Sequence, residues 1–380
     1  MNATPGRVSL LAAAASISLL PLLPPRPGMA RTAWAVGEED VPPAACVRAF
    51  DAHAYQEAQE CFAGRVAKQP GDAMALSYLG RTYFERRQPA PAIDWLQRAV
   101  ARAPGRSDFH DWLGRAYGIA AQRAAVVRQL GLAVKARQEF ERAVELDPAN
   151  PDALEDLIEF QIQAPAFLGG SLAKARAHAA ELERRDPLRG RLALAEILRR
   201  HSAGPAGSAG LPAPAGSAGS TAPVGSAGPT GSTGPAGSAG QTGALAAERE
   251  LRAAAADFPG DPRPRLALAA VYEHAGRLEQ AADEIEAALR LDPDSTEAHG
   301  ALARVAAASG RRLARAEELL TRDLQRLPAG DDAALADCHY ALGALLERQG
   351  DRGQAREHYQ EALRRDPGSA EARAALRRLR

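Results

Sequence analysis

The stretch LALAAVYEHAGRLEQAADEIEAALRLDP, residues 266–293, carries the architecture of the whole chain. Its core-forming residues come in two groups, Leu268, Ala269 and Tyr272 first, then Ala281, Ile285 and Ala288. Residues three and four apart share one face of an α-helix, so each group marks one helix. Alanine at 269, 281 and 288 lets two antiparallel helices approach closely, while Leu268, Tyr272 and Ile285 fill the space beside them. Asp292-Pro293 ends the second helix, because proline forces the residue before it out of the α region. The stretch reads as one helical hairpin with a stop.

The hairpin recurs along the chain. Proline follows a helical stretch at Pro70, Pro104, Pro148, Pro187, Pro259, Pro293, Pro328 and Pro367, at intervals of 34, 44, 39, 72, 34, 35 and 39 residues. A fixed period near 34 marks a helix–turn–helix array. With each proline at position 32, Leu79-Gly80, Leu113-Gly114 and Leu342-Gly343 take positions 7 and 8. Tyr83 and Tyr117 join Tyr272 at position 11, and Ala92, Ala136 and Ala355 join Ala281 at position 20. Leu96, Phe140 and Tyr359 share position 24 with Ile285, and Ala99, Ala143 and Ala362 share position 27 with Ala288.

This pattern resembles the tetratricopeptide repeat family, over nearly all of residues 41–380. The resemblance implies an all-α fold, a right-handed superhelical array of about eight antiparallel helix pairs, with 369–380 as a terminal solvating helix. It also implies a concave surface lined by positions 2, 5, 9, 12 and 13 of the first helices, and a protein or peptide partner along it. Position 9 holds Arg81, Arg115 and Arg304, and position 5 of the third repeat holds Asp111; these four are the candidate partner-binding residues. Adjacent guanidinium groups at Arg81 and Arg115 suit a carboxylate gripped by bidentate hydrogen bonds. The alternative is local, since Asp111 and Arg115 stand at i and i+4 and can pair with each other. The lysine–asparagine clamp of chaperone-binding members does not carry over, because positions 5 and 9 hold Ser77 and Arg81, then Asp111 and Arg115.

Departures from the pattern are few. Repeat three is stretched by ten residues through 122–134, and repeat four by about five through 163–170. These insertions, followed by Asp186-Pro187-Leu188-Arg189-Gly190, are similar to a group of uncharacterised exported bacterial repeat proteins. They read as a longer helix and a surface loop, with partner binding as the alternative. The 72-residue interval is a split repeat: 191–195 matches 265–269 as a first helix, and 244–257 supplies the second. Between them, 202–243 carries no charge and places glycine on every third residue from Gly204 to Gly243, except at Ala213 and Ala222. A collagen triple helix does not tolerate such breaks, so the insert reads as a flexible linker. The expected domains are a signal peptide over 1–35, an N-terminal array over 41–201, the linker over 202–243 and a capped C-terminal array over 244–380.

Composition narrows the function. Alanine makes up 87 of 380 residues, which favours close helix contacts over sheet. Forty-seven basic and 47 acidic side chains leave no net charge to displace counterions, so no nucleic-acid partner is expected. The chain has no phosphate-cradling P-loop, no His-Glu-x-x-His and no Cys-x-x-Cys. His110, His299 and His339 stand at position 4 of separate repeats, where packing histidines are expected rather than metal ligands. The expected function is a non-enzymatic scaffold of the cell envelope, with no cofactor and no metal. The alternative is an accessory subunit of an envelope enzyme or assembly machine, tethered by an uncleaved N-terminal segment.

The export expectation rests on the first residues. Arg7 precedes an uncharged apolar run over 8–23, and Ala33-Trp34-Ala35 gives the small-x-small pattern read by a signal peptidase. The run is broken by Pro21 and is short of the roughly 20 residues a bilayer span needs. No later run is long enough to span, so the mature chain is expected to be periplasmic or secreted, without a membrane span. Cys46 and Cys61, at positions 8 and 23 of the first repeat, lie at the same height of an antiparallel hairpin. In an oxidising compartment they are expected to form a disulfide and leave Cys338 free; the alternative is a pair of reduced packing residues.

Overall fold

The computed structural model describes residues 42–202 and 237–379; the signal segment and most of the low-complexity insert lie outside them. Among the described residues every regular element is helical. The first hairpins are α1 (Ala44–Asp51) with α2 (Tyr55–Lys68), α3 (Ala73–Glu85) with α4 (Pro89–Arg102), and α5 (Ser107–Arg123) with α6 (Val126–Leu146). Next come α7 (Pro151–Gln163) with α8 (Leu172–Arg185), and α9 (Pro187–Ser202) with α10 (Gly237–Asp257). The last hairpins are α11 (Arg263–His274) with α12 (Leu278–Leu291), α13 (Thr296–Ser309) with α14 (Leu313–Arg326), and α15 (Asp332–Gln349) with α16 (Arg352–Arg365). Finally α17 (Ala370–Arg378) covers α16 with buried Ala372 and Ala375, its charged residues turned outward.

The helix ends follow from local chemistry. Asp147, Asp186, Asp292 and Asp366 take extended backbone angles just before their prolines, which ends α6, α8, α12 and α16. Asp72, Asn150, Ser295 and Ser369 then cap the next first helices through side-chain oxygens. Within hairpins, position 8 meets position 24. A Cβ on Gly80 would stand 2.6 Å from Leu96, one on Gly114 2.7 Å from Phe140, and one on Gly343 2.7 Å from Tyr359. Gly80→Leu and Ala92→Phe are therefore each expected to destabilise the chain by about 1–3 kcal/mol through overpacking. Unchanged thermal midpoints in both variants would contradict the repeat frame.

Curvature puts the first helices inside. Successive first helices touch, α3 with α5, α5 with α7, α7 with α9, α11 with α13 and α13 with α15, while successive second helices make no comparable approach. The split repeat is whole: Ala195 of α9 packs with Ala247 and Leu251 of α10 in a core continuous with Leu345 of α15. Helix α10 begins at Gly237, inside the 202–243 stretch assigned to the linker. Once the packed part of a second helix has formed, each further residue adds one hydrogen bond, so the helix runs back into the insert. The rest of the linker, and the signal peptide, fall outside the described residues.

The two insertions differ in kind. In repeat three the extra residues lengthen α5 and α6 to 17 and 21 residues. In repeat four they form a compact turn, a 3₁₀ segment at Ala166–Leu168 tied back by Ser171 N–H donating to the Gln161 carbonyl at 2.9 Å. Gly169 has φ +101°, and a Cβ on Gly170 would stand 1.6 Å from the Ala164 carbonyl oxygen, so both positions need glycine.

Far along the chain, the array meets itself. His53, between α1 and α2, lies 3.2 Å from Asp331, which caps α15. Arg87, after α3, reaches Asp337 at 2.5 Å, and Arg123, at the end of α5, reaches Asp366 at 2.8 Å. In these pairs the cations come from the first three repeats and the carboxylates from the last.

Candidate partner-binding groove

The inner face of α3, α5 and α7 carries a ladder of ion pairs between neighbouring repeats. Arg81 donates to Asp108 of the next first helix at 3.0 Å. Arg115 pairs with Asp111 on its own helix at 3.2 Å and donates to Asp156 on α7. Arg189, on α9, reaches back to Asp152 at 2.6 Å and Glu155 at 2.5 Å. Arg304 stands apart in the C-terminal half, 60% exposed and 3.5 Å from Glu273. So the structure brings Arg81, Asp111 and Arg115 together and places Arg304 elsewhere. Both the local Asp111–Arg115 pair and a partner on the following repeat are present.

Trp112 binds this group together. Its ring centroid lies 5.0 Å from the guanidinium carbon of Arg81 and 4.7 Å from that of Arg115, with Phe84 edge-on at 5.4 Å. Both cations gain from the π cloud of one indole. Asp111 is buried under this layer. Burial pushes its carboxyl well above the usual range, opposed by Arg115 and reinforced by Asp156. Ser77 Oγ, Arg81 Nε and Asp111 Oδ1 are buried there without a hydrogen-bond partner. Leaving such atoms unpaired costs about 1–3 kcal/mol each, so the groove is under-satisfied for a pure core.

Beside the ladder, between α5, α6, α7 and the 3₁₀ turn, lies a small apolar concavity of about 40 Å³. Both insertions contribute to its lining. Glu159 stands on its wall and accepts a hydrogen bond from Gln163. Trp112 and Glu159 were not singled out by the sequence pattern. The available signal was at position 9, where repeat four replaces the arginine of repeats two and three with Glu159.

The position-4 histidines are clamps. His110 has Nδ1 2.6 Å from Glu139 and Nε2 3.1 Å from the Pro104 carbonyl. His299 repeats this with Asp323 at 2.7 Å and the Pro293 carbonyl at 3.1 Å. Each ties its hairpin to the proline that ended the previous one. His339 instead faces His358 at 3.0 Å. In the first repeat, Cys46 and Cys61 are joined as a disulfide with Cα atoms 5.4 Å apart, and Cys338 is a buried free thiol.

Titration couples the groove to the meeting of the two ends. Burial pushes Glu85, at the end of α3, up to about 7, with Arg115, His53 and Arg87 opposing and Asp331 adding. The hydrogen bond to Asp331 raises His53 above its ordinary value. Folded Glu85 keeps its proton to about pH 7 while the unfolded chain releases it near 4.5, so stability falls as pH rises between those values. The contribution of His53 is fully present below pH 6.5 and is lost as pH rises past its raised value. Both slopes have the same sign. Denaturant midpoints are expected to fall from about pH 5.5 to about pH 8, and Glu85→Gln to flatten the profile. A midpoint that climbs over this range would contradict the assignment.

Models of the tetratricopeptide repeat match residues 47–107, 244–305 and 336–369. Among solved structures, yeast Tom70 is 13% identical with a TM-score of 0.51, over 86% of this chain and 60% of that one. A thermophilic TPR protein of Thermus thermophilus is 18% identical with a TM-score of 0.41, over 70% of this chain and 98% of that one. A tetratricopeptide repeat protein of Parabacteroides merdae is 12% identical with a TM-score of 0.43, over 88% of this chain and 96% of that one. At these identities the likeness bears on the fold alone. No curated protein matches the chain. With the hairpin repeated from α1 to α16 and repeat models matched in both halves, the chain is a tetratricopeptide-repeat protein.

Proposed function

We propose that the chain is an exported, non-enzymatic scaffold of the cell envelope, holding a protein or peptide segment along the inner face of α3, α5 and α7. Arrays of this family act as protein–protein interaction scaffolds, and the proposal adds the place and the compartment. The carrying observation is the inner-face ladder itself, in which Arg81 and Arg115, each against the Trp112 ring, tie successive first helices together. Arg81 and Arg115 keep the first helices in register through Asp108 and Asp156, a rigid platform that lowers the entropy lost on binding. Arg304, largely exposed, extends the same face into the C-terminal half.

Export is supported by the leader pattern of 1–35 and by the Cys46–Cys61 pairing. No helix among the described residues is long and apolar enough to cross a membrane. A photo-reactive residue at Ile119, position 13 of the third repeat on α5, or at Arg304, position 9 of the seventh on α13, is expected to crosslink a discrete partner in the envelope fraction. The same group at Arg142 or Glu145, on α6, is expected to give none. Crosslinks from α6 alone, or a protein that remains cytoplasmic on fractionation, would overturn the proposal.

A further inference from the structure

The two insertions, apart in sequence, converge on one concavity. Ala121, Leu130, Ala133, Phe160 and Leu168 form its apolar walls, and Glu159 supplies a carboxylate on one side. The same two insertions leave Val127 90%, Phe167 75% and Leu130, which lines the pocket, 40% exposed. Those are three of the five large hydrophobic side chains so exposed among the described residues. Single exposed apolar residues are ordinary on a surface, but three on the two segments that build one pocket mark a contact site.

The polar side of the pocket states its charge preference. Glu159 accepts from the neutral Gln163 amide and has no ion-pair partner among the described residues, unlike the carboxylates of the neighbouring ladder. Asp156, also on the lining, is already engaged by Arg115. Burial, with Glu196 adding and the Gln163 amide and Arg200 opposing, pushes the Glu159 carboxyl up to about 7. An incoming cation in direct contact would favour its charged form. An incoming acid would meet the one carboxylate of the lining that has no ion-pair partner among the described residues.

We propose that this pocket is a side-chain socket for an extended peptide, taking a large aliphatic residue into the apolar walls and a neighbouring lysine or arginine onto Glu159. The socket deepens the groove reading above and rests on it. The aliphatic side chain leaves water for a preformed apolar cleft, and the neighbouring cation fixes direction along the groove.

A random dodecapeptide library displayed on phage and panned on the whole chain tests the socket. Selected peptides are expected to share a leucine, isoleucine or methionine with lysine or arginine within two positions. Synthetic copies are expected to bind Leu130→Trp, which blocks the mouth at a partly exposed position, at least about tenfold more weakly. Glu159→Gln, nearly isosteric, and a lysine-to-glutamine peptide are expected to weaken binding by similar factors that do not multiply. Peptides that bind Leu130→Trp as well as the parent overturn the socket while groove crosslinking from Ile119 still stands. Loss of that crosslinking as well removes the groove reading. Selection of acidic peptides, or of none, overturns the socket. A parent dimer that Leu130→Trp turns into monomer assigns the pocket to a second copy of the chain instead.

Discussion

Replacing His299 by leucine is expected to lower the unfolding free energy by about 3–5 kcal/mol, the cost of stranding a buried charge. His299 and Asp323 are both fully buried and their side chains meet at 2.7 Å. Without the imidazole, Asp323 keeps a 3.4 Å contact with Arg326, and the Pro293 carbonyl loses one of its two donors and keeps Arg322 at 3.1 Å. The matching change His110→Leu is expected to cost less, because its carboxylate partner Glu139 is 23% exposed and turns readily to water. A double variant, His299→Leu with Asp323→Leu, is expected to recover most of the loss, since removing both members of a buried pair leaves no orphan. Urea unfolding of the four proteins decides it. A single His299 variant within about 1 kcal/mol of the parent would show that the clamp does not hold the hairpin.

The second large effect is at the other end. Opening the Cys46–Cys61 disulfide, by Cys46→Ala with Cys61→Ala or by reductant, is expected to remove about 3 kcal/mol of local stability, the chain-entropy value for a loop of this length. The sequence separation is 15, and α1 is only eight residues long with no side-chain cap at its start. A helix that short is marginal without a tether. The hairpin it opens also presents His53, with the Tyr55 hydroxyl against its ring nitrogen, to Asp331, so loosening is expected to spread to the meeting of the two ends. Amide exchange should rise over α1 and α2 first, then around Asp331. In the folded chain burial, with Asp323 adding to it, pushes the Cys338 thiol up to about 12 and keeps it unreactive, so thiols are counted after denaturation, where one is expected with the disulfide intact. Three free thiols after denaturation of protein taken from its native compartment would remove both the disulfide and the export argument that leans on it.

Much of the fold was legible in the sequence because it is written in short-range sterics. Gly80, Gly114 and Gly343 mark the places where Leu96, Phe140 and Tyr359 press against a neighbouring backbone. Each such contact lies within one hairpin, so its chemistry recurs at a fixed spacing. Asp-Pro pairs stop helices by a clash with the residue next door, which likewise needs no knowledge of the rest of the chain. The split repeat was readable for the same reason, since 191–195 and 244–257 keep their positions in the frame whatever separates them.

The groove was legible only in outline. Position 9 pointed to Arg81 and Arg115, but their carboxylate partners Asp108 and Asp156 sit on the following first helix, and which side chains meet there depends on how two repeats are rotated. The insertion of repeat three became helix and that of repeat four a glycine-dependent turn, and their convergence on one pocket follows from neither alone. The meeting of His53 with Asp331, across 278 residues, is further still from any local signal. Spacing and side-chain size settle what each hairpin is. The small rotation between hairpins, summed over eight of them, settles which distant charges and apolar faces end up together.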